Sequence, residues 1–512
     1  MTFSTLVLAA GAGTRMRSAR AKVTHELLGK PLVRWVIDAA KAAGSTRIIT
    51  IVGHEREQVV PLVCEDSIVV VQEERLGTGH AIMIARDVIT GGASLSPEIP
   101  SLNLSAAPAS TATPSPGAAP APASTVTPAS LVVLCGDTPL ITSATIAALV
   151  SSQQERGAAV CMLTHYLDDP TNYGRVIRDE RGGVVRIVEE KDATEAERAV
   201  RECNSGAYCF DVPVLLECLG KLGNDNAQGE YYLTDIIGLC VEAGLSVEAF
   251  VVDAEETQGI NDRAQLARAS RSMQQRINAA HMAAGVTMLD PSLVWIGADV
   301  VLEQDVELLP LTMLFGTTRV GSGSVLGPNT RVTDSVVGRE CRVEESVLLG
   351  AVLADGVSCG PRAYLRPGTV MRAGSKAGTH VEIKNSIIGP NSKVPHLSYI
   401  GDATLGEDVN IGAGSITCNY DGLAKNPTVI GDRAFIGSDT MFVAPVNVGA
   451  DAVTGAGSVI TSDVPDGSLA VERAKQEVIR DWTRRREERK TRTYTKVTKD
   501  IKDTKDMKEN SQ

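Results

Sequence analysis

Two groups of residues in this chain have the types and spacing to do chemistry. The first begins at the end of an apolar run, Leu6-Val-Leu-Ala-Ala10, where Gly11-Ala-Gly13-Thr-Arg15 is followed by Lys22. Glycines directly after a buried strand let backbone N–H groups face an anion closely, and the two cations add charge. Much later, Cys135-Gly136-Asp137 closes another apolar run and Gly259-Ile-Asn261-Asp262 supplies a further polar cluster. One carboxylate (Asp137) plus one amide oxygen (Asn261), with phosphates and water completing the shell, suits Mg2+, which seldom takes a full protein cage. The Gly-x-Gly fragment by itself lacks the third glycine of a dinucleotide fingerprint and the Gly-Lys-Ser/Thr of a P-loop. Read alone, it is equally compatible with a plain strand-to-helix turn.

The second group centres on His396. Arg366, Lys384, Tyr399 and Asn410 lie near it in sequence, and a loop running from Cys418-Asn-Tyr-Asp-Gly422 to Lys425 follows. A lone histidine is ordinarily structural, but imidazole titrates where it can take a proton from an amine near neutrality.

The elements that must position these residues are of two kinds. Up to about residue 260, apolar runs at Leu6–Leu8, Ile48–Val52, Ile68–Val71, Leu131–Leu134 and Ala159–Leu163 alternate with helical stretches such as Leu32–Ala43 and Gly79–Thr90. That succession predicts a mostly parallel sheet covered by helices, with ligands at the C-terminal ends of its strands. From Val320 to Val459 the chain repeats every six residues: Val320, Leu326, Val332, Val337, Val343 and Leu349, then Leu353, Cys359, Leu365, Met371, Ala377 and Ile383, and on to Val448. A period of six fits neither a helix nor an alternating strand, but it fits a parallel β-helix with one apolar residue inward per strand and glycines at the corners. The tract Asn410–Lys425 interrupts the beat, as a loop projecting from one face would. Between the two regions, 261–289 reads as a linker helix, so the expected domains are 1–260, 261–289 and 290–475. A Pro/Ala/Ser/Thr-rich insertion at 91–130 lacks the apolar content to order itself, and a charged tail from 476 to 512 is expected to fray.

Bulk properties exclude several function classes. The net charge of −12 argues against a nucleic-acid partner. Nothing approaches 18 consecutive apolar residues, so no membrane span is expected. The ten cysteines include no Cys-x-x-Cys pair and sit singly in apolar stretches, as thiols of a reducing compartment do. The N-terminus reads as a first strand instead of a signal peptide, and a cytoplasmic location is expected.

Taken together, these motifs resemble a known family. Leu8-Ala-Ala-Gly-x-Gly-Thr-Arg15, Gln72 with Leu76-Gly-Thr-Gly-His80, Cys135-Gly-Asp137 and Tyr173-Gly174-Arg look like a sugar-phosphate nucleotidyltransferase. So do Ile187-Val-Glu189 with Lys191-Asp, Asn204-Ser-Gly206, Gly229-Glu-Tyr-Tyr-Leu-Thr-Asp235 and Gly259-Ile-Asn261. With the hexads attached, the whole resembles the bacterial bifunctional N-acetylglucosamine-1-phosphate uridylyltransferase/glucosamine-1-phosphate acetyltransferases. The resemblance implies an N-terminal Rossmann-like nucleotidyltransferase (GT-A-like) domain and a C-terminal left-handed parallel β-helix.

It also implies roles. Leu8, Ala9, Ala10, Gly11, Gln72, Gly77 and Thr78 would hold the nucleotide, and Arg15 and Lys22 the phosphates. Asp137 and Asn261 would carry Mg2+, while Gly174, Glu189 and Asn204 would grip N-acetylglucosamine. His396 would be the general base of acetyl transfer, with Asn419 steadying the oxyanion region. Arg366, Lys384, Tyr399, Asn410 and Lys425 would bind glucosamine 1-phosphate. Ala413, Asn419, Tyr420, Ser438, Ala456 and Arg473 would line the acetyl-CoA groove. A homotrimer with shared sites is implied as well. Ala21, Thr24 and Cys135 depart from residues common in the family, and none of them removes a charged participant.

Overall fold

The computed structural model describes residues 2–91 and 128–509, and the insertion expected at 91–130 lies almost wholly outside them. The chain forms two compact units, Met1–Gly374 and Ser375–Gln512. The boundary falls inside the hexad tract instead of at the change of fold near 260–290, because each coil of a solenoid touches only its neighbours.

In the first unit a mixed sheet carries the strand order Val247–Val251, Val160–Tyr166, Glu202–Asp211, Ser130–Cys135, Phe3–Ala9, Arg47–Val52 and Ile68–Val71. Along this path all neighbours pair in parallel except Glu202–Asp211, which runs antiparallel to Ser130–Cys135, to Val160–Tyr166 and, off the path, to Arg175–Arg178. The central strands are mostly apolar because both faces are covered, with Thr5 and Thr50 the buried exceptions at their middles. One face packs Leu6, Ile49, Ile51 and Val133 under the helices Val212–Leu219 and Asp235–Glu242. The other packs Val7, Ile48, Val132 and Leu134 under Leu32–Ala42 and Ser143–Arg156. The helical stretch expected at Gly79–Thr90 is instead two short helices, Thr78–Met83 and Arg86–Ile89.

A 21-residue helix, Arg263–Ala283, leaves the sheet and packs Ala269 and Met273 against Leu27, Leu32 and Leu140. Its buried Gln274 and Asn278 both donate to the carbonyl of Val294, at 2.6 and 2.9 Å. That fixes the entry into a stack of two- and three-residue strands beginning at Thr287–Met288. The stack therefore starts well before Val320: Ile296, Leu308 and Leu314 are already buried, twelve and six residues apart. Strands one coil apart pair in parallel on three faces, as Leu308 with Leu326, Leu314 with Val332, and Leu302 with Val320. Leu348, five residues after Val343, is buried where Leu349 was expected.

The second unit has the same kind of short strands, from Lys376–Thr379 to Leu469–Ala470. Val394, Ile400, Ile411, Ile436 and Phe442 fill its interior. Glycine holds fewer corners than expected, since Asn385, Asn391, Asp402, Asp408, Asp439 and Asp451 all adopt positive φ. Their short polar side chains tolerate the left-handed region. Buried serines and threonines join successive turns: Ser392 donates to the Gly406 carbonyl at 2.7 Å and accepts from Val409 N–H at 2.8 Å. The tail does not fray over its described length but forms a helix, Trp482–Glu509, in which Arg and Lys side chains from Arg484 to Lys499 are exposed. No helix among the described residues is long and apolar enough to cross a membrane.

Candidate active sites

At the C-terminal edge of the sheet, the first strand runs into Ala10-Gly11 and a single turn of 3-10 helix at Thr14–Met16. Gly13 has φ +57°, and a Cβ there would lie 2.5 Å from Cβ of Lys22. Glycine is thus what lets Lys22 pass under the loop. Lys22 Nζ forms a short ion pair with Asp137 and donates to Asn261 Oδ1 at 3.0 Å. Three residues far apart in sequence meet here because Ser130–Cys135 lies beside the first strand and Ile260 N–H bonds to the Asp137 carbonyl at 2.9 Å. The carboxylate and amide oxygens proposed for Mg2+ therefore converge on one cation, the ammonium of Lys22. A pair of oxygens that already accommodates a cation fits a metal completed by phosphate and water. No cluster of three or more His, Cys, Asp or Glu suited to a metal occurs among the described residues.

Gln72 is buried after the edge strand, and its Nε2 bonds to the Gly77 carbonyl at 3.1 Å and meets Nδ1 of His80 at 3.2 Å. Gly77 has φ +102°, and a Cβ would meet the Tyr231 carbonyl at 2.6 Å. The Thr78 hydroxyl accepts from Leu233 N–H at 3.2 Å. Gln72, Gly77 and Thr78 thus form one small cradle, braced by the Glu230–Leu233 segment, a motif that the sequence showed without giving it a role.

Gly174, Glu189 and Asn204 are likewise brought together. Asn204 N–H donates to the Gly174 carbonyl at 2.9 Å, and a Cβ on Gly174 would stand 3.5 Å from both Glu189 carboxylate oxygens. Thr234 donates to Glu189 at 3.2 Å. Burial raises the Glu189 carboxyl above its usual range against that hydrogen bond, with Asp235, Asp192 and Glu230 nearby adding to the rise. Burial likewise pushes the Cys135 thiol up to about 12, so this thiol is an inert wall beside Gly206. His165 was not anticipated: fully buried, it meets Thr257 Oγ1 at 2.9 Å and sets its edge on Tyr173.

In the second unit Lys384, Tyr399 and Asn419 share one cluster around Asp402. Lys384 Nζ lies 3.1 Å from Asp402 Oδ2, and Asn419 Nδ2 donates to the same oxygen at 2.5 Å and to the Tyr399 hydroxyl at 3.4 Å. Lys425 lies beside Lys384. Tyr420 and Lys425 bridge the projecting loop, and Asn426 N–H closes it on the Asn419 carbonyl at 2.7 Å. Asp421 bonds to Leu423 and Ala424 N–H within that loop, which brings its carboxyl down to about 2.

His396 is exposed at the end of Lys393–His396, in register with Thr379, and Asn410 is paired with Lys393. No side chain among the described residues hydrogen-bonds the His396 ring. Ala413, Ser438, Ala456 and Arg473 form a single column: the Ala413 carbonyl accepts from Asp439 N–H at 2.7 Å, Ser438 from Gly457 N–H at 2.8 Å, and Ala456 from the Arg473 guanidinium at 3.0 Å. Arg366 belongs to the first unit, where its carbonyl accepts from Thr369 N–H at 3.2 Å.

Comparison with known proteins covers both regions. The family described as "MobA-like NTP transferase domain" matches residues 5–180, "Nucleotidyl transferase" matches 107–256, and "Hexapeptide repeat of succinyl-transferase" matches 427–462. The bifunctional protein GlmU of Carboxydothermus hydrogenoformans is 46% identical over 92% of this chain and 98% of its own length. The chain belongs to the bifunctional GlmU family. The GlmU of Heliobacterium modesticaldum is 45% identical over 92% of this chain and 96% of its own. That of Streptomyces coelicolor is 46% identical over 94% of both chains. The GlmU relationship thus runs through the nucleotidyltransferase sheet and the hexapeptide β-helix alike.

Proposed function

We propose that this chain makes UDP-N-acetylglucosamine, a precursor of peptidoglycan and other cell-envelope polymers, in two transfers. The first moves acetyl from acetyl-CoA to the amine of glucosamine 1-phosphate. The second moves uridylyl from UTP to N-acetylglucosamine 1-phosphate and releases pyrophosphate. The observation that carries this reading is the end-to-end match, 46% identical over 92% of the chain, to a bifunctional GlmU.

For uridylyl transfer the sugar phosphate is already a nucleophile, so the protein needs only to align it and neutralise charge. Gln72 and the Gly77-Thr78 backbone hold the base, and Gly174, Glu189 and Asn204 hold the sugar. Arg15 and Lys22 offset the negative charge gathering on the triphosphate as one P–O bond forms and the other breaks. Asp137 and Asn261 would hold Mg2+, which when bound shares that charge. With those oxygens so occupied, the Lys22 ammonium would be available to the phosphates.

For acetyl transfer, His396 takes the proton of the amine as it attacks the thioester carbonyl and the thiolate of CoA leaves. Lys384, Lys425, Tyr399 and Asn410 bind the sugar phosphate, and the column Ala413–Arg473 with Tyr420 receives CoA. Outward valines support assembly as a homotrimer: Val336 and Val352 stack in register on one face of the first unit, both exposed. A face of that kind is normally covered by another copy. Ten free thiols support a reducing cytoplasm.

Two variants with two assays test the assignment. His396→Ala should abolish CoA release with glucosamine 1-phosphate and leave pyrophosphate release intact, and Asp137→Ala should do the reverse. Loss of both activities in either folded variant refutes the two-site reading.

A further inference from the structure

Asp402 accepts four hydrogen bonds on two oxygens. Oδ1 takes Asn385 Nδ2 at 2.6 Å and Lys384 Nζ at 3.2 Å, and Oδ2 takes Lys384 Nζ at 3.1 Å and Asn419 Nδ2 at 2.5 Å. Its side chain is only 12% exposed. Its backbone is pinned too, since Asp402 N–H donates to the Lys384 carbonyl at 3.0 Å and Thr428 N–H donates to its own carbonyl at 3.2 Å. Burial opposes the charge, but the donors from Asn385, Lys384 and Asn419 outweigh it and hold the carboxyl below its usual range. The group is therefore a fixed anion across the physiological range.

A carboxylate can only accept, so it dictates which end of the Asn419 carboxamide faces it. The two amide hydrogens go to Asp402 and to the Tyr399 hydroxyl. Among the described residues none donates to Oδ1 of Asn419. The side chain thus offers an acceptor to what binds beside it, not the oxyanion donor implied by resemblance. Gly401 completes the arrangement, because a Cβ there would overlap the Tyr399 hydroxyl and reach within 2.7 Å of Asn419 Nδ2.

We propose that Asp402 is the positioning residue of the acetyl-transfer site, holding the Lys384 ammonium and the Asn419 carboxamide in the orientation the acceptor sugar phosphate meets. The inference rests on the acetyl-transfer reading of this unit. It acts through those two side chains and not on the reacting atoms.

The test uses the full-length protein and both assays. Asp402→Asn should lower kcat/KM for glucosamine 1-phosphate about 100-fold, the order expected when one partner of a hydrogen-bonded charge pair is removed. Pyrophosphate release should stay within twofold, which reports the fold. Asp402→Glu, which restores the charge, should recover part of the loss. In a Lys384→Ala background, Asp402→Asn should cost less than a further tenfold, because the shared partner is already gone. Acetyl transfer within threefold of wild type in Asp402→Asn overturns the proposal, as does a parallel fall in both activities or a full multiplication of the two losses. If His396→Ala keeps acetyl transfer, the reading of the site fails and takes this proposal with it. If His396→Ala is dead and Asp402→Asn is normal, only the proposal fails.

Discussion

Gly13 and Glu189 show how single residues shape the proposed uridylyl site. At Gly13 both the positive φ and the 2.5 Å approach to Lys22 forbid a side chain. Gly13→Ala should therefore displace Lys22 and lower pyrophosphate release at least 100-fold, while CoA release stays normal. Glu189 makes a pH-dependent case. Its carboxyl is raised in the fold, so the folded state binds the proton more tightly than the unfolded chain does. Stability tied to this group is thus present at low pH and lost as pH rises through its folded value. Glu189→Gln should melt higher than wild type at pH 8, and the gap should shrink towards pH 5 in thermal scans.

The meeting of Lys22, Asp137 and Asn261 was foreshadowed in the sequence because these candidates sit in or beside short glycine-marked motifs. Asp402 was not, although it stands three residues after Tyr399. An aspartate at a solenoid corner looks like any other turn residue until its four donors are seen.

Elements owe their placement to hydrogen bonds that no apolar pattern reveals. Gln274 and Asn278 lie on the buried side of Arg263–Ala283 and satisfy the Val294 carbonyl that opens the β-helix. Gln274→Leu should take one of two donors from each of the carbonyls of Ser292 and Val294, which keep Arg271 and Asn278, and cost about 1 kcal/mol in denaturant unfolding. The hydroxyls inside the coils are of the same kind: Ser324 donates to the Gly338 carbonyl at 2.8 Å and accepts from Cys341 N–H at 3.0 Å. Hexads were recognisable from Val320 onward because glycine often follows the inward residue. Earlier coils kept the six-residue spacing, but Leu302-Glu, Leu308-Leu and Leu314-Phe lack that glycine and hid the beat. The break between Thr78–Met83 and Arg86–Ile89 left no comparable mark.

At the scale of the whole molecule, sheet and solenoid were readable because each imposes its own period. The tail was not, since its many charges suit a solvated helix as well as a frayed end. Every described side chain from Trp482 to Lys499 is exposed. Truncation after Arg480 should therefore change unfolding free energy by no more than about 0.5 kcal/mol. Light scattering should report three copies for the intact protein, and Val336→Glu with Val352→Glu should reduce that number.

The paired hydroxyls and three-faced register of the coils also make the stack a counter. Each turn satisfies itself with the one before and the one after, and nothing in it depends on how many turns there are. A duplicated turn inserted near Val320 would lengthen that stack by about 4.8 Å and leave the bonds inside every existing turn as they were. Length in such a protein is a variable that evolution can change in whole steps, without redesigning a core.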